Sequence, residues 1–392
     1  MHRTFRLRRP LALAMALLPG FALGTEVQLY GYLNTAVEVY DKQDSANSSA
    51  VALPGTTTAR LTNYGSFFGL RGQEDLGGGL KALFQIESYV FIDGVSPPGF
   101  NALASRNTRV GLETPYGTVF GGVWDTPMRM LLARDPFPGT VSDGGQLLGN
   151  GVANTVSNVQ APASFERRQV NSLAYWSPLV GGLRVMAHHS FAEDSTPTTR
   201  PRLWSVSATY DQGPLSLGAA VETHGRYGGP GTGDRAWLLY GAYSVGDLRL
   251  AATLVDKRYE RTLGAATLDL DLRGWQLQAT YRLGQGTVRA AYTRAGDGSG
   301  SLSALGTDAN GRTVVDAARM VGQATAGPAT GAAQLALGYE HAFSKRTAWY
   351  ANLLLHRNDR NGAYAPFAGV PSPAGALGVD TRMLATGLRH VF

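Results

Sequence analysis

Three features of this 392-residue sequence predict an all-β fold, a sixteen-stranded antiparallel transmembrane β-barrel with one inward-folded loop. Apolar and polar residues alternate with a period of two in segment after segment, the spacing that puts successive side chains on opposite faces of a strand. Beyond the first 24 residues no run of 18 apolar residues occurs, which excludes a membrane-crossing helix and leaves strands as the spanning element. Connections between the segments are alternately short and long, as when turns gather at one end of a barrel and loops at the other.

Composition agrees, with 16% charged residues against about 25% in a soluble domain. The absence of cysteine decides little between compartments. The chain opens on Arg3, Arg6, Arg8 and Arg9, an apolar run from Leu11 to Leu18, a Pro19-Gly20 break, and the small residues around Ala22-Leu23-Gly24. That order predicts a secretory signal over 1–24 and a mature barrel over 25–392 beginning at Thr25, the alternative being a buried N-terminal helix. Losing four arginines takes the net charge from +6 to +2, which gives no electrostatic argument for nucleic acid.

Taken in order, the first strand carries Val27, Leu29, Leu33, Val37 and Val39 on one face and Gln28, Tyr30, Tyr32, Asn34, Glu38 and Tyr40 on the other. The same alternation marks sixteen segments near 27–41, 58–72, 79–92, 106–114, 117–124, 167–177, 182–192, 202–212, 214–225, 234–246, 247–260, 267–283, 286–296, 333–343, 346–358 and 381–392. An even count suits a single-chain barrel whose first and last strands pair. One place departs from the pattern: apolar positions are even from Leu268 to Leu272 and odd from Trp275 to Leu283. A β-bulge at Gly274, or a strand starting there, would restore the phase. The 43 residues from Trp124 to Glu166 far exceed a hairpin connection, and loops beyond about 15 residues are usually functional or disordered. Folded back into the lumen, this loop would narrow a closed sheet into a selective pore.

Several stretches resemble the general porins of Gram-negative bacteria, in particular those of β-proteobacteria. They are VQLYGYLNTAVEVY at 27–40, FGLRGQEDLGGGLKALFQIES at 68–88, RVGLETPYGTVFGG at 109–122, NSLAYWSP at 171–178 and GLRHVF at 387–392. The resemblance implies a homotrimeric channel in the outer membrane, without enzymatic activity or cofactor, through which small hydrophilic solutes and ions diffuse. It implies contact with outer-membrane lipid and lipopolysaccharide. It also implies that Phe392 is read by the barrel-insertion machinery, while the residues themselves place Phe392 on the parity of Leu384 and Leu388, at a membrane interface. Small outward residues such as Gly31 and Thr35 would let barrels approach. A non-conducting adhesin or binding barrel acting through its external loops is the alternative.

In such a pore, charge sets a transverse field at the narrowest point. The candidate residues are Asp125, Asp135 and Asp143 on the loop and Arg60, Arg71, Arg106, Arg109 and Arg168 on the wall, the alternative for each being a solvated lumen or loop charge with no special role. Arg106 and Arg168 match arginines of the family pattern and are expected to face the loop acids. Phe67 and Val123 stand where the family commonly has basic residues, so at most a modest anion preference is expected. Pro136 and Phe137 would stiffen the loop, and Trp124 would either join them or sit at the interface. His188-His189-Ser190 makes no catalytic pair, because neighbours on a strand point to opposite faces, and the histidines show no zinc spacing.

Overall fold

The computed structural model describes residues 26–43, 56–95, 102–196, 198–366 and 376–392; the predicted signal 1–24 and Thr25 lie outside the described residues. One sheet gathers eighteen strand segments. Thr56–Asn63 and Phe67–Gly77 are two halves of one barrel strand, since both pair with Glu26–Gln43, and Val152–Val156 runs parallel to Glu166–Trp176 as part of a loop. Sixteen antiparallel barrel strands remain among the described residues. The last, Asp380–Val391, returns to the first, with Tyr32 opposite Val391 and Gln43 opposite Asp380. Closure removes the sheet edge, so spanning backbone groups find their partners within the wall.

Face alternation follows the predicted parity. Val27, Leu29, Val37 and Val39 are exposed on the outside, while Asn34, Ala36, Glu38 and Tyr40 are buried inside. Exposed apolar side chains recur on the outside of strand after strand, a patch too large for a protein in water and suited to lipid. Trp204, Trp237 and Trp275 lie toward the long-loop ends, and Tyr175, Tyr243 and Tyr281 toward the short turns, the belts in which amphipathic rings settle at membrane interfaces.

Two expectations are corrected. Ala266–Leu283 is one unbroken strand, paired residue for residue with Leu248–Leu263 and its lead-in, so there is neither a bulge nor a new start at Gly274. Even residues face inward throughout; Leu270 and Leu272 are apolar because they meet packed loops where Gln276 and Gln278 are polar. The phase of the strand never slips; what changes is the chemistry of what it faces. Gly31, in turn, is not an open outward notch. A Cβ there would fall 2.3 Å from Cζ of Phe392, so the glycine seats the Phe392 ring, and the two residues exchange backbone hydrogen bonds of 3.0 and 3.1 Å.

The apolar core lies inside the barrel, between the wall and the segment that follows Asp125. Met128, Leu131, Leu147, Leu148 and Phe165 of that segment pack with Tyr259, Leu270 and Leu272 of the wall.

Candidate functional site

The segment between Gly117–Asp125 and Glu166–Trp176 folds locally for reasons visible in its residues. Helix α1, Pro127–Leu132, is opened by Thr126, whose hydroxyl accepts from the Arg129 N–H, and by proline at the first position, where a missing N–H costs nothing. Asp135 then accepts from the backbone N–H of Phe137 at 2.6 Å and of Gly144 at 3.1 Å, and Asp143 from those of Gly139 and Gly145 at 2.8 Å. Both carboxylates are buried and staple the segment to itself; the wall group that reaches Asp135 is the neutral Gln276. Neither is ion-paired with a wall arginine among the described residues, because a tight turn with unpaired N–H groups takes up their oxygens first, while Asp143 still borders the same cavity as Arg106 and Arg168. Helix α2, Gly145–Gly149, follows, and Lys257 donates to the Leu148 carbonyl at 2.5 Å.

Burial and the charge of Asp143 push the Asp135 carboxyl well above the usual carboxylate range. An acid raised in the folded state contributes docking stability that is full below the ordinary carboxylate value near 4 and is lost as pH rises through its elevated folded-state value. Protease cleavage between 133 and 145 is therefore expected to be faster at pH 8 than at pH 5, and Asp135→Asn should flatten that dependence; equal rates at both pH values would refute it.

Three glycines on the inner wall receive three side chains of the segment. A Cβ at Gly218 would fall 2.6 Å from Cδ2 of Leu131, one at Gly274 2.9 Å from Cδ2 of Leu148, and one at Gly338 2.5 Å from Cε1 of Phe137. The sockets lie on Leu215–Gly225, Ala266–Leu283 and Ala332–Ala342, so the segment extends along the inner face far beyond the strands that carry it. Gln334 adds a hydrogen bond of 3.0 Å to the Ser142 carbonyl, and Tyr259 one of 2.8 Å to that of Ala163.

The predicted charges separate into distinct places. Arg168 meets Asp125 at 3.1 Å, and donates to Asn107 and Tyr89 as well. Arg106 meets Glu87 of the wall at 3.4 Å and no loop acid; its guanidinium lies between the rings of Phe67 and Tyr89, 4.4 and 4.8 Å from their centres. Arg60 pairs with Glu38 at 2.7 Å, and Arg71 bonds Gln28 and stacks on Tyr30. Arg109 is held by Phe120, Trp124 and Trp176, which also form an edge-to-face cluster with one another, so Trp124 is an inner-face residue.

A cavity of about 380 Å³ joins Arg106, Arg168 and Asp125 to others not singled out in the sequence: Arg129, Arg289, Arg389 and Glu340. Arg129 shares Asp125 with Arg168 at 3.0 Å, while Arg289, at 3.0 Å, and Arg389 converge on Glu340. Strand parity was a sufficient signal for two of them. Val288 and Leu388 are exposed on the lipid face, so Arg289 and Arg389 must point inward.

A closed sixteen-stranded sheet with a lipid-facing exterior and a polar, arginine-rich interior defines an outer-membrane channel. Comparison with known proteins makes this particular. The sequence model of the Gram-negative porins matches residues 11–361, and the chain belongs to that family. It is 30% identical over 401 residues to outer membrane porin protein 32 of Delftia acidovorans, covering 97% of this chain and 99% of the relative. Among solved structures it is similar to the anion-selective porin from Comamonas acidovorans, at a TM-score of 0.71 and 26% identity over 94% of this chain and 100% of that one. OmpT of Vibrio cholerae in its trimer form shares the fold at a TM-score of 0.61 and 14% identity, over 94% of this chain and 99% of that one. The protein is thus an outer-membrane channel for passive diffusion, without enzymatic activity.

Proposed function

We infer that residues 126–165 form the constriction of this channel, and that the pore passes small hydrophilic solutes with a modest preference for anions. The observation that carries this reading is the seating of Leu131, Leu148 and Phe137 in wall glycines far from the ends of the loop. A segment so anchored narrows the lumen beside the cavity where Arg106, Arg129 and Arg168 face the Arg289, Arg389 and Glu340 cluster. Acids neutralise part of this charge, because Asp125 is shared by two arginines and Glu340 by two more. The surplus that reaches water is small, and it acts only over about 8 Å at physiological salt. The anion selectivity of the Comamonas porin supports the same sign.

The reading extends to assembly. The mature chain begins at Thr25 after export, Phe392 serves the insertion machinery, and three copies associate amid outer-membrane lipid and lipopolysaccharide. Support comes from the signal-like composition of 1–24 and from the trimer form named for the Vibrio protein. Protein extracted from outer membranes is expected to start at Thr25, to migrate unheated as three chains, and to produce discrete conductance steps in a planar bilayer. Absence of any steps would favour the non-conducting surface barrel instead.

A further inference from the structure

Guanidinium groups alone would make the cavity a site for any small anion. Rings line it as well, beside the carboxylates of Asp125, Asp143, Glu166 and Glu340. Phe67, Tyr32 and Tyr89 border the same space and are only half-buried. Phe67 lies 6.2 Å from Tyr32 with their planes inclined by 31°, and the Arg106 guanidinium completes a stack with Phe67 and Tyr89.

The polar side of the cavity has donors to spare. Arg106 uses Nε toward Glu87, and neither of its terminal nitrogens has a protein acceptor among the described residues. Arg129 uses Nε toward Asp125 and Nη1 toward the carbonyls of Ala153 and Glu166, which leaves Nη2 without an acceptor among the described residues. Arg168, by contrast, is fully engaged with Asn107, Tyr89 and Asp125. Planar N–H forks are suited to a carboxylate, which accepts two parallel hydrogen bonds.

We propose that this cavity is a binding site for aromatic carboxylates, the carboxylate held by Arg106 and Arg129 and the ring stacked in the Phe67–Tyr32 corner. The volume of about 380 Å³ lies in the range of small-molecule pockets, roughly 300–1,000 Å³. An aliphatic carboxylate satisfies the guanidinium forks and leaves the rings facing water; inorganic phosphate does the same. An aromatic one uses both, and offset ring contacts favour it further. The proposal rests on the pore reading above, because the site lies on the diffusion path.

The test is block of chloride current in a planar bilayer by benzoate and by cyclohexanecarboxylate, which has the same charge and a similar size but no π face. Benzoate is expected to block saturably, at a concentration about threefold to tenfold lower than cyclohexanecarboxylate. The ratio of the two blocking concentrations should fall toward one in Phe67→Leu, whereas Arg106→Gln should weaken block by both. Because the ratio is taken within each variant, a change in its open conductance does not disturb the reading. Equal block by the two acids in the unaltered protein would overturn the proposal, as would a ratio that Phe67→Leu leaves in place. Chloride current before any addition tests the pore itself, so a conducting channel indifferent to the ring defeats this site alone, and a silent one defeats the pore reading as well.

Discussion

Filling the wall sockets expels the loop: Gly338→Leu and Gly274→Leu, alone and together, are expected to raise single-channel conductance and expose residues 133–149 to protease. A Cβ at 338 already falls 2.5 Å from the Phe137 ring and one at 274 falls 2.9 Å from Leu148, and neither glycine has a left-handed φ that would strain the replacement by itself. Phe137 is 1% exposed, and loss of a buried phenyl ring costs about 3–5 kcal/mol, so Phe137→Ala should release the same part of the loop without touching the wall. Both routes lead to a wider pore, one by filling the socket and one by removing its occupant. Unchanged conductance in both would mean that the loop is not what limits the current.

Arg168→Met is expected to have the second large effect. Its guanidinium is 2% exposed and holds Asn107, Tyr89 and Asp125 together, tying Glu166–Trp176 to the base of the loop and to the neighbouring wall. Removing one member of a buried ion pair typically costs about 3–5 kcal/mol. Here Arg129 still neutralises Asp125 at 3.0 Å, so the loss should fall toward the lower end of that range. Heat-modifiable gel mobility should shift to a lower melting temperature, and the anion preference should weaken because one cation has left the lumen. A variant as heat-stable as the parent would show that Arg168 is a spectator.

The barrel was legible from the sequence because its rule is local. Period-two alternation needs only neighbouring residues, and it placed Val27 to Val39 outside and Asn34 to Tyr40 inside as they are found. The same rule misread 268–275, since it assumes that every inner face meets water, whereas Leu270 and Leu272 meet packed loops. The loop was legible by its length but not in its anchoring. Nothing near Phe137 announces Gly338, two hundred residues away in sequence and brought beneath it only by closure of the sheet. Asp135 and Asp143 could be recognised as loop acids, yet their oxygens are consumed by backbone N–H groups of the turn they fold. Arg106 and Arg168 match the family pattern, but their division of labour is not written in it. Arg168 is tied on every side, and Arg106 keeps its terminal donors toward the lumen.

Reversal potential in a salt gradient tests the central claim most directly, because it reads the ratio of anion to cation permeability of the open pore. A channel narrowed beside Arg106, Arg129 and Arg168 should give a potential of the sign for modest anion preference, reduced toward zero in an Arg106→Ala, Arg168→Ala double variant. A strong cation preference would contradict the account, and a ratio unchanged in the double variant would show that other groups line the narrowest point.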